Sequence, residues 1–321
     1  MVVASASRRR ASCTACVNII LSSALIYWML VLLHVVHRTS ASGSMTCDFS
    51  MCDGKCARSS RLDLTKMRIA CVGDSITSAQ PWTPEKKYGT RTSPRHSYPD
   101  LLQNMLGATY HVENLGLCGG TVLKRPAPDR PGSPFPVPFR SSPQYRRLVE
   151  GAPWDAIVFM WGTNAAVGEC KTAPYTGCAF LDDYASLIAE VRSYGRVLAP
   201  HVVLVHPPPA VEVTYGRASA FYDLNATAVN TFVPTVESAI AAATGSQLVR
   251  PFEAMWRRRR GGFVARCSAL GTKGSSPVVE GCELFCGPAG CDGVHPNDLG
   301  NERIARAVHE TLAPERSPST G

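Results

Sequence analysis

The stretch Met67-Arg68-Ile69-Ala70-Cys71-Val72-Gly73-Asp74-Ser75-Ile76-Thr77 runs a short apolar segment, residues 67–72, directly into a polar turn. A parallel strand does this where its carboxyl end hands the chain to a following helix. The same rhythm recurs downstream at residues 110–115 (YHVENL), 154–161 (WDAIVFMW), 201–206 (HVVLVH) and 247–251 (QLVRP). The segments at 154–161 and 201–206 are apolar on both faces, as central parallel strands are. Helical spacing lies between and after them: Leu181, Tyr184, Ile188 and Val191; Val229, Phe232, Val236 and Ile240, where Pro234 should kink or restart the helix; and Ile304, Val308 and Leu312. These alternations predict an α/β domain over residues 67–313, a normal size for one domain, with a parallel sheet and no internal repeat. Residues 126–143 read as a Pro-dense surface loop and residues 257–290 as an Arg- and Gly-rich insertion.

Composition narrows the class. With 45% hydrophobic and 18% charged residues over 321, the chain is too apolar to be disordered. Its net charge of +8, from 33 Lys and Arg against 25 Asp and Glu, is concentrated at residues 8–10, 86–87 and 257–260. No repeated basic pattern results, so nucleic-acid binding is not the leading idea. The run that includes Trp256 and Arg257 to Arg260 reads as a solvated loop, ahead of an acidic-glycan contact or a processing site.

Thirteen cysteines exceed what a cytosolic enzyme usually carries and point to an oxidising compartment. Residues 17–36 carry no formal charge, are long enough to span the roughly 30 Å hydrocarbon core, and follow Arg8, Arg9 and Arg10. The expectation is a single-pass signal anchor with a cytosolic tail at 1–16, a transmembrane helix at 17–36, a Cys-containing stem at 37–66 and a C-terminal tail at 314–321. The catalytic domain then lies in the lumen of the secretory pathway or at the cell surface. A cleaved signal peptide, giving a secreted protein, is the competing reading, and the length of the apolar core favours the anchor. Lumenal cysteines read as loop staples, with Cys286 and Cys291 close enough to pair, and Asn225-Ala226-Thr227 is a glycosylation sequon. A metal site on Cys282, Cys286, Cys291 and His295 is the weaker reading, and no metal or organic cofactor is expected. Cys71 and Cys118 read as buried or disulfide-bonded residues before catalytic thiols.

Open parallel sheets place their sites at the carboxyl ends of the strands. There the sequence sets Gly73-Asp74-Ser75, then the segment from Asn114 to Thr121, then Gly162-Thr163-Asn164, and, before the last helix, Asp292-Gly293-Val294-His295. Serine hydrolysis requires a hydroxyl, an imidazole to take its proton, an acid to orient the imidazole and donors for the oxyanion. Ser75, His295 and Asp292 are the candidate triad; the N–H groups of Ser75 and Gly119 and the Asn164 amide are the candidate donors. Each alone has a plainer reading: Asp74 or Ser75 as a helix cap, Gly119 as a turn glycine, Asn164 as a cap, His295 as a loop histidine. Their conjunction, in order, is what selects catalysis.

These four blocks resemble the SGNH (GDSL-type) hydrolase superfamily, over most of residues 67–313. The resemblance implies a three-layer α/β/α sandwich with a five-stranded parallel sheet of flavodoxin type. It also implies Ser75 as nucleophile, Asp292 and His295 as its partners, and Ser75, Gly119 and Asn164 as the oxyanion hole. Gly119 is preferred to Gly116 because the family's block-two glycine lies five residues after the Asn. Residues 122–124, 142–145 and 207–209 resemble a sialate or carbohydrate O-acetylesterase-like subgroup, which implies a serine esterase acting on an O-acetyl ester of a carbohydrate. Lipid acylhydrolysis is the nearest rival. A membrane-anchored polysaccharide O-acetyltransferase and a non-catalytic glycan-binding protein are the others. Ala165 departs from the family, many of whose members have Asp there, and so does the Cys-rich insertion before Asp292. The G-x-S-x-G elbow of α/β-hydrolases is absent.

Overall fold

The computed structural model describes residues 46–47, 56–57, 63–79, 96–125, 136–167, 170, 178–210, 212–213, 224–253, 266–267, 282–285 and 293–313. Asp292, the predicted span at 17–36, both predicted tails, the Cys286–Cys291 pairing and the basic run at 257–260 lie outside these residues. The chain divides into two units, one of residues 1–48 and 55–61, the other of residues 49–54 and 62–321. In the first, Thr46–Cys47 pairs antiparallel with Cys56–Ala57. Among the described residues no helix is long and apolar enough to cross a membrane.

The second unit is built on five parallel strands: β1 (Met67–Gly73), β2 (Tyr110–Gly116), β3 (Ala156–Met160), β4 (His201–Val205) and β5 (Gln247–Val249). Their order across the sheet is β5-β4-β3-β1-β2. The order reverses between β1 and β3, and such a switch point opens a crevice at the carboxyl edge. Among the described residues six α-helices follow in chain order: α1 (Ser75–Ser78), α2 (Tyr98–Leu106), α3 (Pro143–Glu150), α4 (Phe180–Val191), α5 (Val233–Thr244) and α6 (Asp298–Leu312).

Alternation along the strands separates two cores, because successive side chains leave opposite faces. One face presents Ile69, Cys71, Val158, Met160, Val203 and Val205 to Tyr98 and Leu102 of α2 and to Ile304, Ala305 and Val308 of α6. The other presents Ala70, Val72, Ile157, Phe159, Val202 and Leu204 to Tyr184, Leu187 and Ile188 of α4, Val233 and Ile240 of α5 and Leu148 of α3. The α/β/α sandwich and the five expected strands are all present. Pro234 falls at the start of α5, just after a π-helical turn at Ala228–Phe232, so the helix restarts where the missing N–H is least needed.

Three expectations need correction. Leu181 is 44% exposed; the buried face of α4 instead runs through Phe180, Tyr184, Leu187, Ile188 and Val191. The Pro-dense segment is not all surface loop, since Val137–Pro138 pairs with Gly120–Thr121, Phe139 is fully buried against Trp161, and Pro143 opens α3. Within the expected insertion at 257–290, the described residues 284–285 belong to the core: Phe285 is buried against the Phe252 ring, with centroids 5.7 Å apart.

Two polar residues tie the sheet to its surroundings in ways periodicity does not reveal. Arg68, buried in β1, donates to the carbonyls of Gly151 and Pro153 and stacks 4.3 Å over the Trp154 ring. Asn114, near the end of β2, donates to the Thr77 carbonyl (3.0 Å) and the Ser97 hydroxyl (3.3 Å) and accepts from Gly116 N–H (2.9 Å). The strand end is thereby held against α1, and the approach requires glycine: a Cβ on Gly116 would lie 2.2 Å from the Ser78 nitrogen. We expect Gly116→Ala to destabilise the fold by about 1–3 kcal/mol through overpacking, read as a lowered midpoint in urea unfolding, whereas Gly107→Ala, with open space around its Cβ, acts only through its φ of 79°.

Candidate active site

The carboxyl end of β1 passes through Gly73 into Asp74, the N-cap of α1, whose Oδ1 accepts from Ile76 N–H at 2.9 Å. Ser75 is therefore the first residue of the helix, where a backbone N–H has no partner within the helix. A Cβ on Gly73 would lie 2.1 Å from Thr77 Oγ1 and 2.6 Å from the Met160 carbonyl, so the turn is as tight as a side chain-free residue permits. The tightness holds the Ser75 hydroxyl at the sheet edge, largely shielded at 7% exposure.

His295 arrives from the other end of the chain. Its Nε2 stands 2.8 Å from Ser75 Oγ across 220 residues of sequence. The loop that carries it is pinned on both sides. Asn297 N–H donates to the Leu284 carbonyl (2.9 Å), Asn297 Nδ2 donates to the Glu283 carbonyl (2.7 Å), and Asn297 Oδ1 caps α6 by accepting from Gly300 N–H (3.1 Å). Asn301 donates to the Pro296 carbonyl (3.2 Å) and accepts from Tyr98 N–H (3.1 Å), which ties the same loop to α2. The segment 283–285, expected to be insertion, is thus the buttress of His295.

The donor candidates lie on neighbouring elements. Gly119 sits in a turn at φ 66°, a conformation that favours glycine, and its carbonyl accepts from Val137 N–H at 2.9 Å. Gly116, the fallback, has its N–H committed to Asn114 Oδ1 and belongs to packing. Asn164 opens a short 3-10 turn after β3, and its Nδ2 donates to the Gly120 carbonyl at 2.9 Å. One amide hydrogen locks the side chain to the Gly119–Gly120 turn while the second is left for another acceptor. Cys118 is buried with its Sγ 3.5 Å from Ser78 Oγ. Burial pushes the Cys71 thiol up to about 12, which removes it as a nucleophile at neutral pH. A disulfide joins Cys170 to Cys178 beyond the Asn164 turn, as a loop staple. Among the described residues no group of side chains could hold a metal ion.

Sequence reasoning treated Asp74 as a cap and went no further. Burial raises its carboxyl to about 6, opposed by the Ile76 N–H and by the nearby His295; the Thr163 hydroxyl also favours the ionised form, although Oδ2 makes no conventional hydrogen bond among the described residues. Because this folded value lies above the ordinary 3.8, protonated Asp74 contributes stability that is complete below about pH 4 and lost as pH rises through about 6. Asp74→Asn keeps a capping side chain and removes the titration. We expect the variant's stability advantage over the wild type to grow between pH 4 and 7, measured by denaturant unfolding at stepped pH; a constant difference would contradict the buried, ionisable Asp74.

Comparison with known proteins agrees with this architecture. Residues 69–308 match the family described as GDSL-like lipase/acylhydrolase. An acetylxylan esterase of Xylanibacter ruminicola is 21% identical over 257 residues, covering 75% of this chain and 42% of that protein, so the chain spans less than half the length of this relative. Among solved structures, an aryl esterase of M. smegmatis superposes with TM-score 0.52 at 21% identity, covering 77% of this chain and 98% of that one. A carbohydrate acetylesterase from Sinorhizobium meliloti gives TM-score 0.51 at 19% identity, with 77% and 98% covered. The match over residues 69–308, with the fold shared by these two structures, places the chain in the GDSL-like lipase/acylhydrolase family of esterases.

Proposed function

We propose that the protein is a serine esterase that removes an acyl group, above all an O-acetyl group from a carbohydrate, through an acyl-enzyme on Ser75. The observation that carries this reading is the 2.8 Å approach of His295 Nε2 to Ser75 Oγ at the edge of a parallel sheet. His295 takes the hydroxyl proton as Oγ attacks the ester carbonyl, and Asp292 orients the imidazole and stabilises its charge. The resulting oxyanion is met by the N–H groups of Ser75 and Gly119 and by the second hydrogen of the Asn164 amide. Collapse expels the sugar oxygen, which leaves with the proton held by His295. Water then attacks the acyl-enzyme, gives its proton to the same nitrogen, and acetate departs as Ser75 recovers its hydrogen.

The carbohydrate acetyl ester is favoured because two of the proteins this chain resembles are an acetylxylan esterase and a carbohydrate acetylesterase. The catalytic domain is proposed to face the lumen of the secretory pathway or the cell exterior, held by residues 17–36, in keeping with the cysteine-rich sequence and the sequon at Asn225.

The test is acetate release from acetylated xylan and from 4-nitrophenyl acetate by the full chain. We expect turnover of both without a sugar acceptor. Turnover that requires an acceptor would replace hydrolysis by transfer. Asn164→Ala should lower kcat about 10²–10³-fold, the effect of losing one oxyanion donor; a variant that raises KM alone would make Asn164 a substrate-binding residue instead.

A further inference from the structure

The six exposed large apolar side chains of the described residues are unevenly placed. Leu64 (51%), Met67 (50%), Val197 (93%) and Leu198 (82%) all lie at the amino-terminal rim of the sheet, while Leu181 and Leu299 stand elsewhere. The four belong to two segments that the fold holds together. Residues 195–198 precede β4, and residues 63–66 lead into β1. Arg196 spans the start of β3 between them, donating from Nη1 to the Leu64 carbonyl (2.6 Å) and from Nη2 to the Lys66 carbonyl (2.7 Å), with Asp155 3.3 Å from the same guanidinium. The turn that displays Val197 and Leu198 is tight enough that a Cβ on Gly195 would sit 1.8 Å from the Leu198 carbonyl oxygen. A braced loop that turns two aliphatic side chains outward, against two more, is an apolar patch with no cover from its own domain.

We infer that this rim seats in the headgroup–acyl boundary of a bilayer, an inference that rests on the proposed anchor at residues 17–36. The second unit enters its first strand at this rim, through Asp63 to Lys66, and the uncharged 17–36 segment lies upstream in the sequence. The pairing of Thr46–Cys47 with Cys56–Ala57 shortens the reach of residues 37–62, but the roughly 16 residues outside that closed loop still span about 55 Å when extended, so the tether alone leaves orientation free. The patch is what sets it. Lys66, next to Met67 in sequence, adds a cationic group on an apolar stem, an arrangement that suits a lipid–water boundary.

The consequence falls on substrate choice, and that part rests on the proposed esterase. Ser75 follows the opposite end of β1, whose seven residues span about 23 Å. With the amino rim on the bilayer, the site opens away from it. Esters on glycans or solutes in the lumen reach Ser75, and those of the host membrane's own lipids do not.

The full chain, reconstituted in phosphatidylcholine vesicles that contain an acyl-chain diazirine phosphatidylcholine, is irradiated and the adducts are mapped by peptide. We expect adducts on residues 64–67 and 195–198 at least tenfold above those on the peptide with Leu299. The double variant Val197→Asp, Leu198→Asp should lose the rim adducts while its turnover of 4-nitrophenyl acetate stays within twofold, which also reports that it folds. A rim labelled no more than Leu299 would overturn the inference, as would rim residues shielded in a protein that sediments as a dimer, which would assign the patch to a second copy. Labelling is read without catalysis, so an inactive protein with a labelled rim would sink the esterase and leave the docking standing.

Discussion

The hydrogen bond between Ser75 and His295 joins side chains 220 residues apart in sequence, and it exists because two unrelated restraints agree. One is the glycine-tight turn that delivers Ser75 from β1. The other is the asparagine lattice at 297 and 301 that fastens the His295 loop to residues 283–284 and to α2. Neither restraint uses the reacting groups themselves. Polar side chains one layer behind the site do the holding, so that the hydroxyl and the imidazole are already in contact, the preorganisation that the proposed acyl transfer requires.

Burial around the site has an electrostatic counterpart. Asp74 is pushed up to about 6, and deeper on the same side of the sheet as α5 Glu237 is fully buried with His206 Nε2 3.8 Å away. Burial holds the Glu237 carboxyl well above its usual range and pushes His206 down to about 4, so near neutral pH the imidazole is uncharged and the two form no ion pair. Asp74, Glu237 and His206 thus each carry the cost of burying a charged form, which shifts their titration in the direction that disfavours it.

Most of the fold was legible because its signals are local. Apolar runs marked all five strands to within a residue or two, and Pro234 announced the restart of α5. What escaped is non-local. The helix α2 begins with a capping box of Ser97 and Asp100, but its apolar face is short and went unread. Phe139 and Phe285 sit in Pro- and Cys-rich surroundings that look like surface, yet each fills a core position whose other walls come from distant segments. At the site, Ser75, Gly119 and Asn164 were legible as turn residues after strands, and His295 as a loop residue before the last helix. The choice of Gly119 over Gly116 gained its physical reason only once the Gly116 N–H was seen bonded to Asn114. The support given by Asn297 and Asn301 could not be inferred, since it depends on which carbonyls the folded chain brings near.

The most direct test of the central claim, that the Ser75 hydroxyl is the nucleophile made reactive by His295, is labelling with a fluorophosphonate, which phosphonylates an activated serine. Wild-type protein should carry one adduct, located on Ser75 by peptide mass, and Ser75→Ala should carry none. Equal labelling of both proteins, or an adduct on another residue, would contradict the account.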